Sequence, residues 1–398
     1  MAEQLAFDVR FYDDQHKADI QAGFPHYQEL DRLATNGLTV GKEELFAYSM
    51  FVEQKLGVPG WTTYRELVGL LPDFRGAWER HFSFSGGTVR ALFPTGQIGN
   101  RHKEAIGVGG ALVTASKALG LSEADWERLR DGPFKDLDYR IASTGSSFVI
   151  VEAKGSVVPD HKQAHVSGQK SRIEGKKKVQ RDEQHNANPL LGVITAIPND
   201  PKLQARCWLL DPPVEAIAGD PFRYKLLARL AFYWRELSML SRSHFLEVLI
   251  NRIRSLERAP DYKALDKLPL LNRKGEPHPI PESLFLTRSF IRGKKGFGEV
   301  IPFDGMDGKF FFYGFDINVV KMLLSQDFER ITHTRYDQGE YAGIRVRARI
   351  PKRLLGQTPR EPQREEEDGQ EGRLSTRMKG DLVRTPSGRI LGYVAPIE

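Results

Sequence analysis

Glu152 and Lys154 are two opposite charges one residue apart, at the end of the apolar, β-branched run Phe148 to Val151. Such a run predicts a buried strand, and side chains on a strand alternate faces. Glu152 and Lys154 therefore share a face with Phe148 and Ile150. Charges at the end of a buried strand are costly unless a partner or a metal ion receives them. Upstream, Tyr139 to Ala142 predicts a second strand, and Ser143 to Ser147, with Gly145 in the middle, predicts the turn. A hairpin centred on Gly145 puts Asp138 opposite Glu152, with Cβ atoms about 4.5–5.5 Å apart. Two carboxylates at that distance repel, and a divalent cation between them reverses the sign of the interaction. The same register puts Asp136 opposite Lys154, which makes Asp136 the second-choice acid.

These residues need elements to hold them. The run Lys103 to Leu119 has apolar positions Val108, Ala111, Leu112, Ala115, Ala118 and Leu119, the spacing of an amphipathic helix. Glu104 lies four residues before Val108 and is expected on the inward face, aimed at the strand of Asp138 and Glu152. Gly107, Gly109 and Gly110 would let this helix lie close to a sheet. After Lys154, residues 161–185 hold seven Lys/Arg against three acids, a net of +4. Gly168 and Gly175 are expected to interrupt any helix there, and Lys176 to Lys178 read as a solvated run. Gly192 to Ile197 and Ala205 to Leu210 predict two further strands.

Asp138, thirteen intervening residues, and then Glu152-Ala153-Lys154 resemble the PD-(D/E)XK nuclease superfamily. Glu104 resembles the acid that many members place on their first core helix. The resemblance covers about 96–215. Leu137, rather than proline, precedes Asp138, and no separate first core strand is evident before it. The resemblance implies an α/β class with a mixed sheet, a restriction-endonuclease-like core in αβββαβ order. It implies catalytic Asp138, Glu152, Lys154 and Glu104, with Mg²⁺, or alternatively Mn²⁺, held by Asp138, Glu152, Glu104 and the Ala153 carbonyl. The metal would lower the pKa of a bound water and stabilise the charge that develops on phosphorus. Lys154 would orient that water or neutralise phosphate charge. Gln169 or Lys170 matches the Gln or Lys that members often carry on the helix after the Glu-x-Lys strand. Lys162, Gln169, Lys170 and Arg172 are the candidate nucleic-acid contacts.

The whole chain of 398 residues, with 40% hydrophobic and 28% charged residues, is long enough for two to four domains and is not disordered. We divide it into a partly helical accessory segment, 1–95; the nuclease-like core, 96–215; a helical block, 216–260; and a β-rich α+β domain, 261–398, with a flexible loop at 356–373. In the first segment Glu43 to Leu56 and Thr63 to Leu71 read as helices. In the last, Lys309 to Phe315 and Ile344 to Ile350 read as strands, Val319 to Ser325 as a helix, and Asp381 to Tyr393 as a hairpin turning at Pro386 to Gly388. The balance of 58 basic to 52 acidic residues is mildly basic and permits an anionic partner. The single cysteine, Cys207, excludes an intramolecular disulfide and a Cys-based zinc site, and a reducing cytoplasm is expected. No run of 18 apolar residues predicts a membrane span, and residues 1–12 do not read as a secretory signal. The Arg292 to Gly298 loop lacks P-loop spacing, which argues against a nucleotide hydrolase.

The expected function is a metal-dependent nuclease, with DNA favoured over RNA. By analogy it is a bacterial restriction or anti-phage defence effector, with accessory segments serving a protein partner or homo-oligomer. The alternative is a catalytically silent module of the same fold that binds nucleic acid or a protein.

Overall fold

Alternating apolar and β-branched residues build the strands, and helices with one small-residue or apolar stripe cover them. The computed structural model describes residues 3–50, 74–128, 139–182, 190–210, 219–240, 243–280, 289–291, 296–302, 308–351 and 373–397. The chain divides into two units: Ala2–Val58 with Arg75–Ala228, and Pro59–Phe74 with Arg229–Glu398. Among the described residues, no helix is long and apolar enough to cross a membrane.

The first unit is mixed α/β. Its sheet contains β1 (Gln4–Phe11), β2 (Leu38–Gly41), β5 (Glu127–Arg128), β6 (Tyr139–Ser143), β7 (Phe148–Val158), β8 (Leu190–Pro198) and β9 (Ala205–Leu210). A separate small pair is formed by β3 (Phe82–Ser83) and β4 (Arg90–Ala91). The seven-stranded order is β2-β1-β9-β8-β7-β6-β5. β7 runs parallel to β8, and β1 parallel to β9; the other neighbours are antiparallel. Residues 3–50 are therefore not part of a separate accessory segment, because β1 and β2 belong to this sheet, whereas Pro59–Phe74 groups with the second unit. Asp8 and Arg206, register partners 198 positions apart in sequence, also form an ion pair at 2.7 Å.

Helices α1 (Asp14–Gly23), α2 (Tyr27–Asn36) and α3 (Lys42–Ser49) belong to the same unit, and residues 51–73, which hold the rest of the predicted N-terminal helices, lie outside the described residues. Helix α4 (Asn100–Leu119) packs directly on β7. A Cβ on Gly107 would lie 2.3 Å from the Gly155 Cα, so backbone meets backbone there. Thr195 Oγ1 on β8 donates to the Gly107 carbonyl at 3.1 Å and stitches helix to sheet. Helix α5 (Ser167–Asp182) covers the other face. It runs unbroken through Gly168 and Gly175, contrary to the expected interruptions. Val166 just before it and Ile173 within it are buried against Ile194, Trp208 and Leu210. That packing outweighs the roughly 1 kcal/mol that each glycine costs a helix.

The second unit contains a closed barrel in the order β10-β11-β12-β15-β14-β13. Its strands are β10 (Ser289–Ile291), β11 (Gly296–Pro302), β12 (Phe310–Asp316), β13 (Gly339–Pro351), β14 (Arg373–Arg384) and β15 (Arg389–Pro396). Phe312, Val346, Met378, Leu382 and Ile390 fill its interior. The helical block contains two helices, α6 (Pro221–Leu240) and α7 (His244–Arg258). The boundary between the units falls within α6, between Ala228 and Arg229. From Tyr233 onward α6 lines β12, with Tyr233 edge-on to Phe315 and Glu236 accepting the Tyr313 hydroxyl. Arg389 is fully buried beside Glu236, with an N···O distance of 2.8 Å. The short helices α8 (Ile317–Ser325) and α9 (Phe328–His333) follow β12. The β14–β15 turn falls where Pro386 to Gly388 predicts it, with Gly388 at φ 83°. Residues 352–372, most of the predicted 356–373 loop, lie outside the described residues.

Candidate active site

β7 positions the two charges. It continues seven residues past Val151, to Val158, because Val157 and Val158 resume the apolar pattern. Glu152 pairs in register with Gly192 on β8, where a Cβ would meet Ile173 of α5 at 3.0 Å. Aligned residues of parallel neighbours point to the same face. Glu152, Lys154 and Ser156 thus line the α5 face, while Ala153 and Gly155 face α4. Glu152 is fully buried, and its Oε1 lies 2.9 Å from Nζ of Lys154, whose side chain is 17% exposed. The shared face read from the sequence is therefore observed as a direct contact.

The next position along this face is Ser156, a residue that the sequence reading missed. Its Oγ is 3.4 Å from the Gln169 Nε2, so α5 delivers an amide two residues beyond Lys154. The signal was the strand period itself, continued from 152 and 154 to 156. One residue further along α5, Lys170 is held at 2.7 Å from Glu174 and 5.4 Å from the centre of the Tyr12 ring. The hydrogen bond to Glu174 raises the Lys170 pKa, and burial raises that of Tyr12. Arg172 is exposed, and Lys162 is 77% exposed with Nζ 3.3 Å from Asp160. The backbone N–H of Lys162, donating at 2.9 Å, holds the Asp160 carboxyl below its ordinary range. Nearby, burial and then the Arg206 charge lower the His161 pKa. For Lys176 to Lys178 no side-chain position is described.

Two expectations are corrected. The β6–β7 hairpin pairs Tyr139, not Asp138, with Glu152. The cause is the turn: the Thr144 N–H donates to the Ser147 carbonyl at 2.9 Å, so the loop centres between Gly145 and Ser146. A one-residue offset moves every pair along by one. Asp138 immediately precedes Tyr139 in the chain and, like Asp136, lies outside the described residues. Glu104 does not face inward. It is exposed, on a helix that covers the opposite face of β7 from the Glu152 side chain.

A hard cation such as Mg²⁺ binds oxygen donors, commonly one or two carboxylates with waters. The buried Glu152 carboxylate and the adjacent Ala153 carbonyl are donors of that type. Among the described residues, no three His, Cys, Asp or Glu side chains gather around them. Comparisons with protein-family models, with curated proteins and with solved structures give no match.

Proposed function

We propose that the first unit is a metal-dependent nuclease of the PD-(D/E)XK type that hydrolyses phosphodiester bonds, in DNA before RNA. The observation that carries this reading is the buried Glu152–Lys154 contact at 2.9 Å on one face of β7, with Gln169 reaching the same face from α5. The succession α4, β5, β6, β7, α5, β8 supports it, because it repeats the αβββαβ order that the motif implies. In this reading β5, only two residues long, would be the first core strand that the sequence did not reveal.

Glu152 and the Ala153 carbonyl would hold Mg²⁺ or Mn²⁺, with Asp138 carried as a further ligand by the motif resemblance and not by the hairpin register. Such an ion, when bound, activates water and neutralises phosphate charge. Lys154 presents its ammonium beside Glu152, where it orients the attacking water and offsets charge on the phosphate oxygens. Attack of that water on phosphorus breaks one P–O ester bond and leaves a phosphate monoester and a free hydroxyl. Lys162, Gln169 and Arg172 supply contacts to flanking phosphates, which give affinity without reading sequence. Restriction or anti-phage defence is the proposed setting.

The test is plasmid cleavage with Mg²⁺ or EDTA by wild type, Glu152→Gln and Lys154→Ala. Wild-type cleavage in Mg²⁺ alone, falling about 10²–10³-fold or more in each variant, is expected. A second reading follows from the same contact: a purely structural ion pair in a silent nucleic-acid-binding module. No cleavage by folded wild type, with binding intact, would establish it instead.

A further inference from the structure

The barrel of the second unit carries a charge arrangement that its own packing does not need. On β13 and β14, Val346, Ala348 and Met378 point inward and are buried. The alternate positions point outward, and there Arg345 is the register partner of Lys379, and Arg347 of Arg377. All four are exposed. Two like-charge pairs thus stand directly opposite one another, in adjacent rows of one ribbon. Opposed like charges weaken a strand pair, and opposite charges or Thr pairs would strengthen it. Among the described residues none of the four is held in an ion pair; Arg347 Nε donates to Ser375 Oγ at 2.9 Å. The carboxylate at the end of the row, Asp381, is engaged by the Gly343 N–H at 2.7 Å.

From this geometry we infer that the outer face of the β13–β14 ribbon docks the phosphate backbone of a nucleic acid. The four cations span about 7 Å along the strands and about 5.5 Å across them. That is dense enough to meet a polymer with one charge per roughly 3.4 Å of each strand. Three of the four are arginines, whose planar forks suit phosphate oxygens better than a hydrated ammonium does. The four cations stand where β10 and β15 flank the pair, and beyond Ala348 the described register pairs join only β13 and β14. An anion between the rows converts the repulsion into attraction. The docking is independent of sequence, since phosphates carry none. This inference does not rest on the nuclease reading, because the surface lies in the second unit and its binding is measured without metal.

The experiment is fluorescence anisotropy of the full chain with a labelled mixed-sequence duplex, in EDTA, titrated from about 50 to 200 mM salt. The variant combines Arg345→Gln, Arg347→Gln, Arg377→Gln and Lys379→Gln. Each lost duplex contact flattens the log–log salt slope by about 0.9, so four flatten it by about 3.6. Wild-type affinity should then fall about 150-fold more than that of the variant across this salt range. The variant's melting temperature should match or exceed that of wild type, since repulsion is relieved. Should the combined variant fail to fold, Arg347→Gln and Arg377→Gln are read singly, each with a slope change of about 0.9. Slopes equal to wild type overturn the inference. So does binding to phosphatidylserine vesicles or polyglutamate, but not duplex, that depends on the same four residues. Loss of cleavage in Glu152→Gln with the duplex slope unchanged keeps this surface and removes nothing from it.

Discussion

Replacing Gly155 with alanine should push α4 off β7. The added Cβ would stand 1.9 Å from the Lys103 carbonyl oxygen and 2.8 Å from the Gly107 Cα, where ordinary contact begins at 3.4 Å. Both obstacles are backbone, so no side chain can swing aside. Relief requires a helix displacement of about 1.5 Å, and overpacking of this kind costs about 1–3 kcal/mol. Alanine also stiffens the unfolded chain, which returns about 0.4–1 kcal/mol. The net expectation is a loss of about 1–2 kcal/mol. With a urea dependence of about 1–3 kcal/mol per molar, the midpoint should fall by roughly 0.5–1 M. Because Gly155 follows Lys154 directly, the shift should also reduce any Mg²⁺-dependent cleavage. Gly175→Ala on α5 is the control: a Cβ there meets nothing within 4 Å, and removing a helical glycine should add about 1 kcal/mol. Urea unfolding followed by circular dichroism measures both. A Gly155→Ala midpoint at or above that of wild type, with Gly175→Ala behaving as stated, would refute the backbone-contact argument.

Cys207 is fully buried, and burial pushes its thiol pKa up to about 11, so it should resist a thiol-reactive disulfide at pH 8 until urea unfolds the chain; rapid labelling of the native protein would contradict this. His26 is half-buried with a ring nitrogen 3.0 Å from Ser147 Oγ, and burial lowers its pKa below the ordinary 6.5. Its neutral form belongs to the fold, so its contribution is complete above about pH 6.5 and is lost as pH falls through the lower folded value. Melting temperatures of wild type and His26→Gln between pH 7 and 5 should diverge at neutral pH and converge in acid; parallel curves would remove His26 from the pH response. Arg389→Ala breaks a fully buried ion pair with Glu236 and should cost about 3–5 kcal/mol by denaturant unfolding. A loss below about 1 kcal/mol would show that the Tyr313 hydroxyl suffices for that carboxylate.

Elements whose signal is local were legible in the sequence. The run Phe148 to Val151 marked β7, the spacing of Val108, Ala111, Leu112 and Ala115 marked α4, and Pro386 to Gly388 marked the last turn. The Glu152–Lys154 contact followed from the strand period alone. What escaped was set by tertiary partners. Whether the hairpin centred on Gly145 or half a residue later depended on which groups closed the turn, and Thr144 with Ser147 settled it. The helical register alone pointed Glu104 inward, but it is the Lys103 carbonyl and Gly107 of that turn that meet β7, and the Glu104 side chain is exposed. Gly168 and Gly175 argued against a helix by propensity, and burial of Ile173 prevailed. No periodicity could reveal that Val9 pairs with Cys207, since that parallel pairing joins distant parts of the chain. β5, with only two residues, is too short to carry a pattern.

The two β-structures end in different ways, and that bears on self-association. A strand edge is a row of unpaired amides that can recruit another chain into a growing sheet. The barrel closes on itself through β10 and β13, and its unpaired strand edges among the described residues include the β13–β14 stretch beyond Ala348. The seven-stranded sheet is open among the described residues, and its outermost members there are β2, four residues long, and β5, two residues long. Edges that short give an incoming strand few hydrogen bonds to nucleate on. Molecules crowded together on one polyanion would therefore find little template in the seven-stranded sheet for fibrous stacking. Lengthening β5 with β-branched residues would create that template and turn crowding into aggregation.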